Sequence, residues 1–232
     1  MTQADGTKTP RERYRAQVRT EIKERAWEQI ATAGASALSL NAIAKQMGMS
    51  GPALYRYYGG RDDLITELVR DAYRSLADTI AATAAEDGAE VPALAHALRD
   101  WALRDPHRYF LIYGTPVPGY HAPDDITAIS SEIMAILLDA CAKVDGDAPA
   151  TPFGAHLDEH REWANGHPAP PAALHRAMTF WTRLHGVLSL ELAGHFTGMG
   201  FDPARFFTAE VDALAGRDRP GASAPGSDSS AP

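Results

Sequence analysis

Two stretches of this 232-residue chain hold side chains that could do chemistry. His156, Glu159 and His160 stand in the spacing H-x-x-E-H. In that spacing two imidazoles on one helix face can bind zinc while the carboxylate acts as base. Five residues match such a pattern cheaply, and no helix with a plausible third ligand follows. Gly154, Asn165 and Gly166 mark the neighbourhood as a short surface segment. An exposed polar segment is the expected reading, with a small helical metal-dependent hydrolase as its competitor. No glycine-rich phosphate loop, Cys-x-x-Cys pair or nucleophile elbow occurs, and no metal or cofactor is expected. The balance favours a binding protein over an enzyme.

The second stretch, SLNAIAKQMGMSGPALYRYY, runs from Ser39 to Tyr58. Ser39 is a good N-cap, and Leu40, Ile43, Ala44 and Met47 repeat at three and four residues, as on one face of a two-turn helix. Gly48 supplies the left-handed conformation of a sharp turn. Ser50 is placed to cap a second helix with Pro52 in its first turn, where a missing N–H costs nothing. Leu54 and Tyr58 would face the first helix. Gly51, Pro52, Ala53, Tyr55, Arg56 and Tyr57 are left pointing outward. Small residues followed by hydroxyls and a guanidinium suit a helix lying in a major groove, with Tyr and Arg on phosphates.

The pattern IAKQMGMSGPALYRYYGGRDDL, preceded by AWEQIATAGASALSL, resembles the N-terminal DNA-binding domain of TetR-family transcriptional regulators. The resemblance covers roughly residues 18 to 70. It rests on Ser39, Ile43, Ala44, Gly48, Ser50, Leu54, Tyr55, Tyr58 and the basic Arg61 that opens the next helix. It implies an all-α protein: an N-terminal three-helix helix-turn-helix domain and a C-terminal helical domain for ligand binding and dimerisation. Gly51 departs from the family, where a basic or polar residue is common. With Pro52 and Ala53 it leaves few base-edge hydrogen bonds, so Asn41 and Arg56 would carry more of the specificity. Ser39, Ser50 and Arg61 complete the expected DNA-contact set.

Charge agrees with that division. The chain carries a formal net charge of -8, yet residues 1–61 hold ten Lys or Arg against five Asp or Glu. The head is therefore +5, which leaves -13 for the remainder. Positive potential is confined to the end with the helix-turn-helix, as a phosphate-binding footprint requires.

The expected domains are a basic flexible arm over 1–17, the helix-turn-helix over 18–62, a helical ligand-binding and dimerisation domain over 63–215, and a disordered tail over 216–232. A helix from Val18 to Ala33 backs the head. A long helix from Arg61 to about Ala85 buries Leu64, Ile65, Leu68, Ala72, Leu76 and Ile80. Glu86 to Glu90 reads as a loop, and a helix then runs from Pro92 through Leu103. GTPVPGYHAP over 114–123, with three prolines and two glycines, reads as a loop over a pocket mouth. A helix over 124–144 and a linker over 145–154 follow.

Pro171 to Phe196 and Pro203 to Ala215 are the last helices. The family resemblance implies that they pair with a second copy as a four-helix bundle. Leu188, Leu192, His195, Phe196, Phe206, Phe207 and Val211 are the expected dimer contacts. WTRLHGVLSLE, with Trp181, His185 and Gly186, also resembles the C-terminal ligand-binding domain of one TetR branch.

Trp101, Tyr109, Phe110, Tyr113, Tyr120, Met134, Met178, Trp181 and His185 supply the aromatic, sulfur and polar groups of a small-molecule pocket. Core packing explains each singly as well. His185 and Glu191, polar within apolar stripes, need partners, in the pocket or across a dimer.

The expected partners are double-stranded DNA, a small-molecule effector and a second copy of the chain, with no membrane. A protein partner on the acidic domain is the alternative to an effector. Cys141 alone cannot form an internal disulfide, and no signal peptide or long apolar span is visible, so a reducing cytoplasm is expected.

Overall fold

The computed structural model describes residues 9–117, 119–121, 123–144 and 151–216. Among them are ten α-helices and no strand. The expected arm over 1–8, linker over 145–150 and tail over 217–232 lie outside the described residues.

The first helix, α1, spans Pro10–Ala33 and so begins eight residues before the expected start. Thr9 and Glu12 form a capping box: Glu12 N donates to Thr9 Oγ1 at 3.3 Å and Thr9 N donates to Glu12 Oε2 at 2.7 Å. Pro10 sits in the first turn, where its fixed φ favours the helix. Residues 10–17 are therefore helix rather than arm. Val18, Ile22, Ala26 and Ile30 are the buried stripe. Gly34 and a 3-10 turn, Ala35–Ala37, end this segment.

Helix α2 (Leu40–Gln46) buries Leu40, Ile43 and Ala44. Ser39 Oγ accepts from Ala42 N at 3.3 Å, and Ser39 N donates to Gln29 Oε1 of α1 at 3.0 Å. Gly48, at φ 65°, closes the helix. Met49 N reaches back to Ala44 O at 2.8 Å and Gly48 N to Lys45 O at 3.3 Å. That pair of bonds is a Schellman closure, which needs the left-handed residue.

Helix α3 is a single turn, Gly51–Leu54, with turn residues up to Tyr57. Ser50 takes the N-cap position, but its hydroxyl makes no cap bond. Pro52 has no N–H to offer it, and the Ala53 N–H bonds the Ser50 carbonyl at 2.9 Å instead. Leu54 and Tyr58 are buried, as the spacing predicts.

Helix α4 (Arg61–Asp87) buries all six residues of its expected inner face. Helix α5 (Val91–Arg104) buries Leu94, Leu98 and Trp101, whereas Leu103 points to solvent. Asp105 caps α6 (Pro106–Tyr113) through the Arg108 N–H. Helix α7 is Asp124–Lys143, α8 is Pro152–Glu159, α9 is Pro171–Leu192 and α10 is Pro203–Leu214. Residues 193–200 turn and bend rather than extend α9 to Phe196, and Gly194, Gly198 and Gly200 all take positive φ there.

The chain divides into two compact units, with boundaries inside α4 and α7. Among the described residues, the first comprises those up to Leu76 and those from Arg104 to Ser130, and the second comprises Ala77–Leu103 and those after Ser130. The first unit thus takes in more than the helix-turn-helix segment. Its core includes Val117 and Ile126, with Leu111, Ile112 and Tyr120 against it. In the second unit α9 lies against both α8 and α10. Leu174, Leu184, Leu188 and Phe207 are fully buried there. Burial pushes the Cys141 thiol up to about 12, so it is a core residue rather than a nucleophile.

Candidate nucleic-acid interface

Helices α2 and α3 present one exposed face. Asn41, Ser50, Pro52, Tyr55 and Arg56 are exposed, and Ser39, Gly51, Ala53 and Tyr57 are half-buried around them. Two of the expected DNA-contact residues have tasks within the head: Ser39 caps α2, and Arg61 is held by backbone carbonyls. Its Nη2 donates to Ala35 O at 3.0 Å and Ser36 O at 3.3 Å, and Nη1 meets Asp62 at 3.5 Å. It fastens the 3-10 turn to the start of α4 and is only partly exposed. At Gly59 a β-carbon would stand 2.7 Å from Asp63 Oδ2, the atom that accepts the Gly59 N–H at 3.0 Å.

The helical start of α1 enlarges this face. Arg11, Tyr14 and Arg15 line one open groove with Met49, Ala53, Arg56 and Tyr57. Tyr14 is 65% exposed. The guanidinium of Arg15 lies 6.0 Å from the Tyr57 ring centre and that of Arg19 4.6 Å from the Tyr58 ring centre. Composition marks 1–17 as basic but cannot show that three of its residues stand beside the second helix. The T-x-x-E box at Thr9 and Glu12 was the available signal.

The expected effector residues fall in two sets. Tyr109, Phe110, Tyr113 and Tyr120 belong to the first unit. Tyr109 meets Phe110 at 5.5 Å and Tyr113 at 5.4 Å between ring centres, and Tyr113 meets Tyr73 edge-on at 6.0 Å. Burial holds the Tyr113 hydroxyl well above the usual phenol range, so it stays protonated. Phe110 also lines an open groove with Ile30, Ala33, His107 and Leu111.

Trp101, Met134, Met178, Trp181 and His185 belong to the second unit, and Trp101 is buried. His185 stands edge-on to Trp181 at 4.3 Å, and burial lowers its pKa to about 4, so the imidazole is neutral at pH 7.

Glu191 does not await a ligand or a second copy. Arg99 of α5 holds it through Nε–Oε2 at 3.1 Å and Nη2–Oε1 at 2.5 Å, with side-chain exposures of 15% and 12%. Among the expected dimer contacts Leu188, Phe207 and Val211 are buried within the protomer, because α10 lies on α9. Leu192 and Phe196 are half-buried, and His195 and Phe206 are exposed. Leu190, Met199 and Phe201 are further exposed apolar side chains beside them.

The H-x-x-E-H segment gains nothing from the geometry. Helix α8 stops at Glu159, so His160 lies outside it, with Nδ1 2.9 Å from the His156 carbonyl. Among the described residues no three His, Cys, Asp or Glu side chains are grouped to hold a metal. No helix among the described residues is long and apolar enough to cross a membrane.

A short second helix following the Gly48 turn, in a basic segment of the chain, has the form of a helix-turn-helix. Comparison with known proteins narrows this. The description "Bacterial regulatory proteins, tetR family" matches residues 22–68, and "Tetracyclin repressor-like, C-terminal domain" matches 91–214. HTH-type transcriptional regulator Rv1816 of Mycobacterium tuberculosis is 35% identical over 215 residues, covering 86% of this chain and 92% of the relative. The solved structure described as "Crystal structure of putative regulatory protein SCO4313" superimposes with a TM-score of 0.83 at 70% identity, over 90% of this chain and 100% of that one. A protein of unknown function from Rhodococcus sp. RHA1 shares the fold, with a TM-score of 0.62 at 20% identity over 86% of this chain and 94% of that one.

The chain belongs to the TetR family of transcriptional regulators. Its helix-turn-helix is the family's DNA-binding domain, and ligand-relieved repression is the family's typical mode of action. The hydrolase alternative has no support.

Proposed function

We propose that this chain is a homodimeric, cytoplasmic, non-enzymatic repressor that leaves a palindromic operator when an apolar or aromatic small molecule binds its larger helical region. The observation that carries this reading is the outward face of α3. Pro52, Ala53, Tyr55 and Arg56 stand free of the core while Leu54 and Tyr58 are sealed beneath them. Small residues at the start allow close approach to base edges, including a thymine methyl against Ala53, and the Tyr and Arg behind reach phosphates. Asn41, Ser39, Ser50 and Tyr57 flank them.

Two such heads, joined through the surface around Leu190, Phe196 and Phe206, would enter adjacent major grooves about one helical turn apart. The effector acts only through its different affinity for the two head spacings. Aromatic and Met side chains at Tyr109, Phe110, Tyr113 and Tyr120, and at Met134, Met178, Trp181 and His185, supply the matching chemistry.

Footprinting of the protein's own upstream DNA tests this, with stoichiometry from sedimentation and release scored against a library of aromatic compounds. A protected palindrome holding a dimer, freed by at least one compound, is expected. Monomeric, uniform coverage of all DNA would contradict it.

A further inference from the structure

The turn after α3 ends in backbone carbonyls that its own helix cannot pair. Two arginines of α1 supply donors. Arg15 Nη2 reaches Arg56 O at 3.4 Å, and Arg19 Nη1 reaches Tyr57 O at 3.3 Å while its guanidinium covers the Tyr58 ring. Arg19 does not stop there. Its Nη2 lies 3.3 Å from Glu67 Oε2 on α4. The other Glu67 oxygen pairs with Arg70 Nη1. Arg70 in turn holds Asp125 Oδ2 through Nε at 2.9 Å and Nη2 at 2.7 Å.

All of these residues lie in one compact unit. Asp125 is in the first turn of α7, directly after the 114–123 loop, whose Val117 is buried in the head's core. A run of alternating charge thus joins the end of the DNA-reading segment to the α6–α7 connection. Each link is partly exposed and weak alone, so only the connected run can fix the geometry.

We infer that Arg19 is a positioning residue for the recognition helix, and that Glu67 and Arg70 tie its setting to Asp125, so that the α6–α7 segment and the DNA-reading face tighten or loosen together. The inference rests on the reading of α3 as the DNA-contacting helix. It gives a displacement at the α6–α7 connection a direct route to that helix.

The test uses the full chain with Asp125→Asn, Arg19→Ala and the double variant, read by amide hydrogen exchange at Tyr57 and Tyr58 and by affinity for the operator. Both of those amides bond the Leu54 carbonyl, at 2.8 and 3.3 Å, and so report closure of the turn. Asp125→Asn is expected to speed their exchange and weaken operator binding by roughly 3- to 10-fold, with the melting temperature little changed. The double variant should lose no more than the larger single loss, because both changes open one run. Wild-type exchange rates in Asp125→Asn, or additive losses, overturn the relay. Faster exchange with unchanged DNA affinity would keep the relay and sink the reading of α3 as the DNA-contacting helix.

Discussion

Asn41 Oδ1 lies 3.4 Å from the point where a β-carbon on Gly51 would stand, so the exposed side chain of α2 leans over the first residue of α3. A β-carbon at that point would meet Asn41 at ordinary contact distance. An exposed Asn can pair with adenine N6 and N7, which the small residues beside it cannot do. Asn41→Ala is expected to cost about 10-fold in affinity on operators with the preferred base and little on operators altered at that base, since one good pair is worth ~1–3 kcal/mol. Arg56→Ala serves as the comparison on the same operator panel. Equal losses on every sequence would make both side chains phosphate contacts only.

Adjacent phenylalanines of α10 should behave oppositely. Phe206 is 37% exposed and Phe207 is fully buried. Phe207→Ala should lower unfolding stability by ~3–5 kcal/mol, the usual cost of emptying an aromatic core site. Phe206→Asp should leave the fold intact but shift sedimentation from dimer to monomer. A stable dimer in Phe206→Asp would remove this surface from the proposed interface.

The Arg99–Glu191 pair joins α5 to α9 with little solvent access, and the Arg99 guanidinium also stands 5.6 Å from the Phe207 ring centre. Removing one partner leaves a buried charge, so Arg99→Ala should cost about 3 kcal/mol in urea unfolding. Replacing both partners with Leu or Met should restore much of that. Unchanged stability in Arg99→Ala would show the pair to be solvated.

His185 gives stability a pH dependence of known sign. Its folded pKa is lowered to about 4 by burial, so the unfolded chain binds the extra proton first as pH falls. The contribution is complete above about pH 6.5, the unfolded value, and declines as pH drops toward 4. By pH 5 the loss is on the order of 2 kcal/mol. His185→Gln should lack this component between pH 7 and 5. An identical pH profile in the variant would contradict burial of the neutral imidazole.

Local signals were legible where one stretch of chain carried the whole cause. Ser39, Gly48 and the Leu40, Ile43, Ala44 spacing fixed α2 and its turn, and the inner face of α4 followed from its repeat. The Thr9–Glu12 box was equally local, but the polar composition around it obscured a helix start. Other features depend on partners distant in sequence. Arg61 finds the carbonyls of Ala35 and Ser36, and Arg99 finds Glu191 92 residues away. Apolar periodicity placed Leu188, Phe207 and Val211 on stripes without telling whether the same protomer or a second one covers them. Helix α3 keeps one regular turn, Gly51–Leu54, with turn residues following to Tyr57, and the spacing of Ser50 and Gly59 alone would have allowed two.

The most direct measurement is a salt titration of the purified protein on its own upstream promoter DNA beside random DNA of equal length. Tight, saturable binding of dimers to the promoter alone, weakening steeply with salt through the Lys and Arg contacts of the head, is the predicted result. Equal, weak and salt-sensitive binding to both would contradict sequence recognition through α2 and α3 at that site.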